Sequence, residues 1–251
     1  MQMQTRLSVN VNAVAMLRNR RDLPWPSVVG MARIALEAGA KGITVHPRPD
    51  ERHIRRQDSR DLITMIREEF PGKELCLEGY PDEVFLALNE EIKPDQVLFV
   101  PDDPMQSTSD HGWDFEANEA LLKNVIARVK RAGIRVSLFV DADPAQPAKA
   151  ARVGADRIEI YTGPYGGCYD DPIKEKVCLD DVVTTAVAAR EAGLGVNAGH
   201  DLTPDNLPAL IERAPFINEV SIGHGFTADA LIHGFVGSVK RFQAAMGEID
   251  E

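Results

Sequence analysis

Eight short runs rich in valine, isoleucine and leucine recur along the chain, each followed by a longer stretch with helical patterning, and this alternation constrains the fold more than any other feature. The runs are LSVNVN (7–12), GITVHP (42–47), ELCLEGY (74–80), QVLFVP (96–101), RVSLFVD (135–141), RIEIYTG (157–163), GVNAGH (195–200) and EVSIGH (219–224). Near-continuous apolar runs of this length suit strands buried on both faces of a parallel sheet. Four helical stretches end on a glycine shortly before the next run, at Gly39, Gly133, Gly154 and Gly193. Glycine tolerates the left-handed conformation that closes a helix. Strict alternation of eight strands with helices predicts an α/β fold, a (β/α)8 TIM barrel, formed as a single domain over residues 1–251. The structural alternative is a doubly wound open sheet. That fold normally brings a glycine-rich phosphate fingerprint after the first strand, and neither GxGxxG nor GxxxxGK(S/T) occurs here.

A chain of 251 residues with 44% apolar content is long enough to bury the core of one such barrel. Its net charge of -11 opposes nonspecific binding to nucleic acid or to an anionic membrane, so any basic cluster must be local. Cys76, Cys168 and Cys178 are odd in number, form no CxxC pair and sit in a chain whose polar start, MQMQTRLS, carries no secretory leader. Reduced thiols in a cytoplasm are expected. No apolar run approaches the roughly 18 residues of a membrane span.

The connections are lopsided. Helix-to-strand links are short, whereas three strand-to-helix loops are long, at 47–58, 101–117 and 162–177. Barrel active sites lie on the face built by strand-to-helix loops. Near the strand ends on that face stand Asn10, Asn12, His46, Glu78, Asp102, Asp103, Asp141, Glu159, His200 and His224. Asp141 and Asp143 fit the bland role of capping the next helix. For His46, Glu78, Glu159, His200 and His224, each alone could make a structural hydrogen bond. Together they put carboxylates and imidazoles in one partly dry mouth, where pKa values move toward neutrality and general acid and base chemistry becomes available.

The stretch GITVHPRPDERHIRR adds Arg48, Arg52, His53, Arg55 and Arg56 beside this mouth, and LRNRR adds Arg18, Arg20 and Arg21. Guanidinium forks bind phosphate, so a local basic rim on an acidic protein points to small phosphorylated substrates. Arg20, Arg55 and Arg56 read as solvated helix faces, while Arg48 and His53 are the candidate ligands. NAGHD and SIGHG suggest a second anion site, with Gly199, Gly223 and Gly225 letting a ligand approach the backbone. No lysine stands at a strand end, which disfavours Schiff-base aldolase chemistry. HxH and HExxH are absent and the neighbouring arginines would oppose a divalent cation, so neither a metal nor another cofactor is expected. His111 and His233 take no role.

From about residue 6 to 243 the chain resembles the pyridoxine 5′-phosphate synthase family of the deoxyxylulose-dependent vitamin B6 route. The resemblance rests on VNVNAVAMLRNRR, GITVHPRPDERHI, LEGY, SLFVDAD, RIEIYTGPY, VNAGHDLT and SIGHG, in that order. It implies condensation of 1-deoxy-D-xylulose 5-phosphate with 3-amino-1-hydroxyacetone 1-phosphate to pyridoxine 5′-phosphate, inorganic phosphate and water. It implies His46 and Glu78 as proton acceptors, His200 as proton donor and Glu159 as a stabiliser of developing charge. Arg48, His53 and Thr108, with Asn12, would meet deoxyxylulose phosphate. Asn10, Arg21, Asp201 at the backbone after His200, Gly223 and His224 would meet the aminoketone phosphate. It also implies a homo-octamer. The chain departs from the family at strand one, where Asn-x-Asp-His is replaced by Asn10-Val11-Asn12-Ala13, and at Asp201, where glycine is common. Two rival functions remain at this point: a metal-free sugar-phosphate isomerase or epimerase, which would not need a substrate pair, and a non-catalytic sensor of a B6 phosphate, which would not need proton-transfer groups.

Overall fold

A computed structural model describes residues 4–103, 105–106 and 108–248. Residues 1–3 and 249–251, which the single-domain expectation includes, and 104 and 107 of the expected fourth loop lie outside the described residues. The order of elements is β1 (Arg6–Asn10), α1 (Asn12–Arg18), α2 (Val28–Glu37), β2 (Gly42–Val45), α3 (Arg56–Glu69), β3 (Glu74–Gly79), α4 (Glu83–Ile92), β4 (Gln96–Phe99) and α5 (Phe115–Arg131). There follow β5 (Arg135–Val140), α6 (Gln146–Val153), β6 (Arg157–Tyr161), α7 (Gly163–Gly166), α8 (Pro172–Glu191), β7 (Gly195–Gly199), α9 (Leu207–Arg213), β8 (Glu219–Ile222) and α10 (His224–Ala245), which is interrupted at Gly234. All eight strands pair in parallel and in chain order, and β1 pairs with β8 through Leu7 opposite Val220, closing the sheet into the expected (β/α)8 barrel. Gly39, Gly133, Gly154 and Gly193 all have positive φ, between 78° and 117°, as the recurrent helix stop requires.

Alternation along the strands divides the core. Leu7, Val9, Ile43, Val45, Leu75 and Leu77 belong to the large apolar cluster that includes helix residues such as Leu62, Ile66, Val125 and Val129. The opposite strand faces hold polar groups instead. Ser8, Thr44 and Ser221 are joined by hydroxyl contacts of 2.8 and 3.0 Å, and Glu219 Oε1 accepts from both Gln96 and Asn197 at 3.3 Å. Among the described residues, a small apolar cluster of Cys76, Leu98, Val100 and Phe139 stands apart from the main one. One step of two residues further along the same faces come Asn10, His46, Glu78 and Asp102, so the strand register itself aims the chemical groups at one end of the barrel.

Every expected strand ends sooner than its apolar run, and the overshoot falls on the functional face. His46, Asn12, His200 and His224 all lie beyond the ladder. Asn10 Oδ1 accepts from Asn12 N–H at 2.9 Å and turns the chain into α1, which the run LSVNVN concealed. The sixth loop is shorter than expected, because 163–166 form α7 and 172–177 belong to α8. A further long connection, 19–27, joins α1 to α2. No helix among the described residues is long and apolar enough to cross a membrane.

Candidate active site

A cavity of about 430 Å³ opens at the C-terminal ends of the strands. It is lined by every candidate residue except Arg21: Asn10, Asn12, His46, Arg48, His53, Glu78, Thr108, Glu159, His200, Asp201, Gly223 and His224. Arg21 is exposed in the 19–27 connection and does not line the cavity.

Two buried glutamates in this mouth have pKa values displaced in opposite directions. Glu78 is the penultimate residue of β3, with Oε1 3.3 Å from His46 Nδ1 and 3.1 Å from Ser109 Oγ. Burial alone would push its pKa up, but the imidazoles of His46 and His200, with hydrogen bonds from His46 and Ser109, outweigh it and hold the carboxyl at about 2. Glu159 on β6 has no such neighbours. Burial, then the charges of Glu78 and Glu219, push it well above the usual carboxylate range, which favours its protonated form. Gly199 makes room for it: a Cβ there would lie 2.5 Å from Glu159 Oε1.

His53 is buried, and burial, then the charges of His46 and Arg48, lower its pKa to about 4. Its Nδ1 accepts from Ile54 N–H at 2.9 Å, which assigns the proton to Nε2 and makes the ring a neutral donor. His200 and Asp201 take left-handed φ of 82° and 54°, and Thr162 Oγ1 lies 2.6 Å from the His200 carbonyl oxygen. The His200 ring is packed between Phe139 and Tyr161, with centroids 5.2 and 5.3 Å away.

The basic rim is largely neutralised by carboxylates. Arg48 Nη2 donates to Asp102 Oδ2 at 2.6 Å, with both side chains buried. Arg52 pairs with Asp50 and Arg56 with Glu51. Arg18 forks onto Asp58 and donates to the carbonyl of His53, and so serves to hold the second loop. Arg48, although paired, lines the cavity and keeps a buried Nε with no partner among the described residues, which makes it the candidate phosphate donor. The glycines of the second anion site also differ from expectation. A Cβ on Gly225 would meet the Leu202 carbonyl at 2.3 Å and one on Gly223 would meet Asn10 at 3.2 Å, so, as at Gly199, the room they leave is filled by the protein itself. Asp143 accepts from Ala145 N–H as a turn-former, whereas Asp141 does not cap α6 and accepts from Gly112 N–H at 2.8 Å, tying the fourth loop to β5.

Residues 7–248 match the family described as pyridoxal phosphate biosynthesis protein PdxJ. The chain belongs to the PdxJ family. It is 58% identical over 248 residues to the pyridoxine 5′-phosphate synthase of Rhizobium meliloti (strain 1021), covering 98% of this chain and 99% of that relative. It is 60% identical over 245 residues to the synthase of Mesorhizobium japonicum, covering 98% and 100%. Solved barrels share the fold: the tryptophan synthase alpha-subunit of Pyrococcus furiosus (TM-score 0.64, 11% identity, 98% and 100% covered) and the phosphoribosyl anthranilate isomerase of Thermotoga maritima (TM-score 0.61, 14%, 97% and 99%).

The departures from the PdxJ pattern now have a physical reading. Asn12 Oδ1 accepts from His46 N–H at 2.9 Å, a task that needs only a side-chain oxygen at that place. Aspartate has that oxygen and alanine lacks it. Asn12→Asp is therefore expected to keep kcat within about threefold, and Asn12→Ala to lower it about tenfold, the worth of one lost positioning hydrogen bond. Steady-state kinetics of the two variants checks this. Asp201 sits in the left-handed region, which accounts for the glycine common at that position and for the tolerance of aspartate, one of the few side chains that visits it. Ser109, buried between Glu78 and Asp102, and Tyr161, beside His200, are cavity residues that sequence reasoning missed. Tyr161 was legible as the end of RIEIY, but Ser109 sits in an irregular loop with no periodicity to place it.

Proposed function

We propose that this mouth condenses 1-deoxy-D-xylulose 5-phosphate with 3-amino-1-hydroxyacetone 1-phosphate, forming pyridoxine 5′-phosphate, inorganic phosphate and water. The observation that carries the reading is the convergence of His46, Glu78, Glu159 and His200 on one cavity, with the two glutamates' pKa values displaced in opposite directions, Glu78 down and Glu159 up. Such a pair supplies an acceptor and a donor at the same pH. Joining amine to ketone, eliminating phosphate, closing the ring and losing water each move protons. In this reading Glu78 and the adjacent His46 take protons from substrate, His200 returns one to a leaving oxygen, and the protonated Glu159 donates a hydrogen bond to developing negative charge. Arg48, His53 and Thr108 receive deoxyxylulose phosphate, with Asn12 fixing the His46 backbone beside it. Asn10, Asp201, Gly223 and His224, at the start of α10, receive the aminoketone phosphate, where helix N–H groups favour an anion. Arg21 takes no part in this assignment.

The same reading includes one domain over residues 1–251, supported by the pairing of β1 with β8. It includes a cytoplasmic homo-octamer without nucleic acid or membrane partners, supported by the charge of -11 and by the exposed Leu231 and Ile232 on α10, which suit a subunit contact. The test is incubation of the protein with both phosphorylated substrates, following phosphate release and product mass. Product formed only when both are present is expected. Turnover of either substrate alone would replace the synthase reading with an isomerase, and binding without turnover would replace it with a sensor.

A further inference from the structure

Ser109 Oγ lies 3.1 Å from Glu78 Oε1 and 2.8 Å from Asp102 Oδ2, fully buried between the two. A hydroxyl carries one hydrogen, and two carboxylates both demand it. Asp102 Oδ2 already accepts from Arg48 Nη2, so that oxygen offers Ser109 only lone pairs. While Glu78 is ionised, the serine hydrogen serves one neighbour and leaves the other oxygen–oxygen contact without a proton. Once Glu78 carries a proton on the lone pair facing Ser109, both contacts are filled: Glu78 O–H donates to Ser109 Oγ, and Ser109 O–H donates to Asp102. The other lone pair of Glu78 Oε1 still faces His46 Nδ1, at 3.3 Å.

We infer that Ser109 is a positioning residue that follows the protonation of Glu78: it donates to the carboxylate before proton abstraction, and afterwards turns its hydrogen to Asp102 and accepts from the new O–H. The inference rests on the reading of Glu78 as proton acceptor. No atom is gained or lost in the switch, since the abstracted proton stays on Glu78 and the serine hydrogen only rotates. Because Asp102 is also the partner of Arg48, the chain Glu78, Ser109, Asp102, Arg48 links the base to the candidate phosphate donor through three contacts. A phosphate that draws Arg48 toward itself strengthens the pull of Asp102 on the serine hydrogen and frees Glu78 to act as a base.

The experiment is steady-state kinetics of the full chain with both substrates varied across pH, comparing wild type, Ser109→Ala and Ser109→Thr. Removing the hydroxyl takes away both the donor to the ionised form of Glu78 and the acceptor for its new O–H, so turnover falls and the acid limb of kcat moves. The groups facing Glu78 from other elements stay in place: His46, Arg48 and His53 from the loop after β2, Asp102 after β4, Glu159 on β6 and His200 after β7. Ser109→Ala is expected to lower kcat about tenfold with both KM values within about twofold, and Ser109→Thr, which keeps the hydroxyl, to regain most of it. An unchanged kcat and pH profile in Ser109→Ala would overturn the inference. So would a rise confined to one KM, which would make Ser109 a substrate contact, or a threonine variant no better than alanine. Failure of the wild type to form product from the substrate pair is a separate result and counts against the synthase reading instead.

Discussion

Glu78→Gln is expected to lower kcat by roughly 10²- to 10⁴-fold, the range for loss of a positioned acid or base, while leaving the affinity for phosphorylated ligands nearly unchanged. Glutamine keeps the shape of the side chain and can still meet His46 Nδ1 and Ser109 Oγ, but it cannot take a proton from substrate. The comparison is clean because Glu78 is ionised in the resting site, with a pKa of about 2, so the variant removes a charge that is present throughout the working pH range. Turnover within a few-fold of wild type would transfer the base role to His46 alone. Loss of binding together with turnover would instead mean that the negative charge holds the cavity together.

Arg48→Ala is expected to act on two properties at once. As the candidate donor to deoxyxylulose phosphate, its loss should raise the KM for that substrate and leave the KM for the aminoketone near its original value. It also strands Asp102, which is buried, accepts from Arg48 at 2.6 Å and has a second oxygen, Oδ1, with no partner among the described residues. Breaking a buried ion pair by removing one partner costs about 3–5 kcal/mol, because the remaining charge is left uncompensated. Urea unfolding should register that loss. Adding Asp102→Ala removes the stranded carboxylate and is expected to restore most of the stability without restoring KM. A double variant as unstable as the single one would place the role of Arg48 in packing, and a double variant with normal KM would remove it from the phosphate site.

The two results depend on different levels of organisation. Glu78 could be nominated from LEGY at the end of an apolar run, but that its pKa is held down while that of Glu159 is pushed up depends on His46 and His200 approaching one carboxyl and not the other. Arg48 could be nominated from its place after the second run. Its pairing with Asp102, 54 positions away, could not. The same holds for Arg18: beside Arg20 and Arg21 in LRNRR it reads as a phosphate ligand, and it forks onto Asp58 to fix the second loop.

The barrel, its strand order and the ring of acids and bases at the strand ends are legible in the chain alone, because burial on both strand faces, the helix-stop glycines and side-chain alternation are local patterns that survive being read one residue at a time. Folding alone sets the direction in which each carboxyl's pKa moves, which carboxylate each arginine meets, where each strand gives way to its loop, and that Ser109 enters the site at all. Each of these depends on distances of about 3 Å between residues far apart in the chain, and on the withdrawal of water that makes such distances matter.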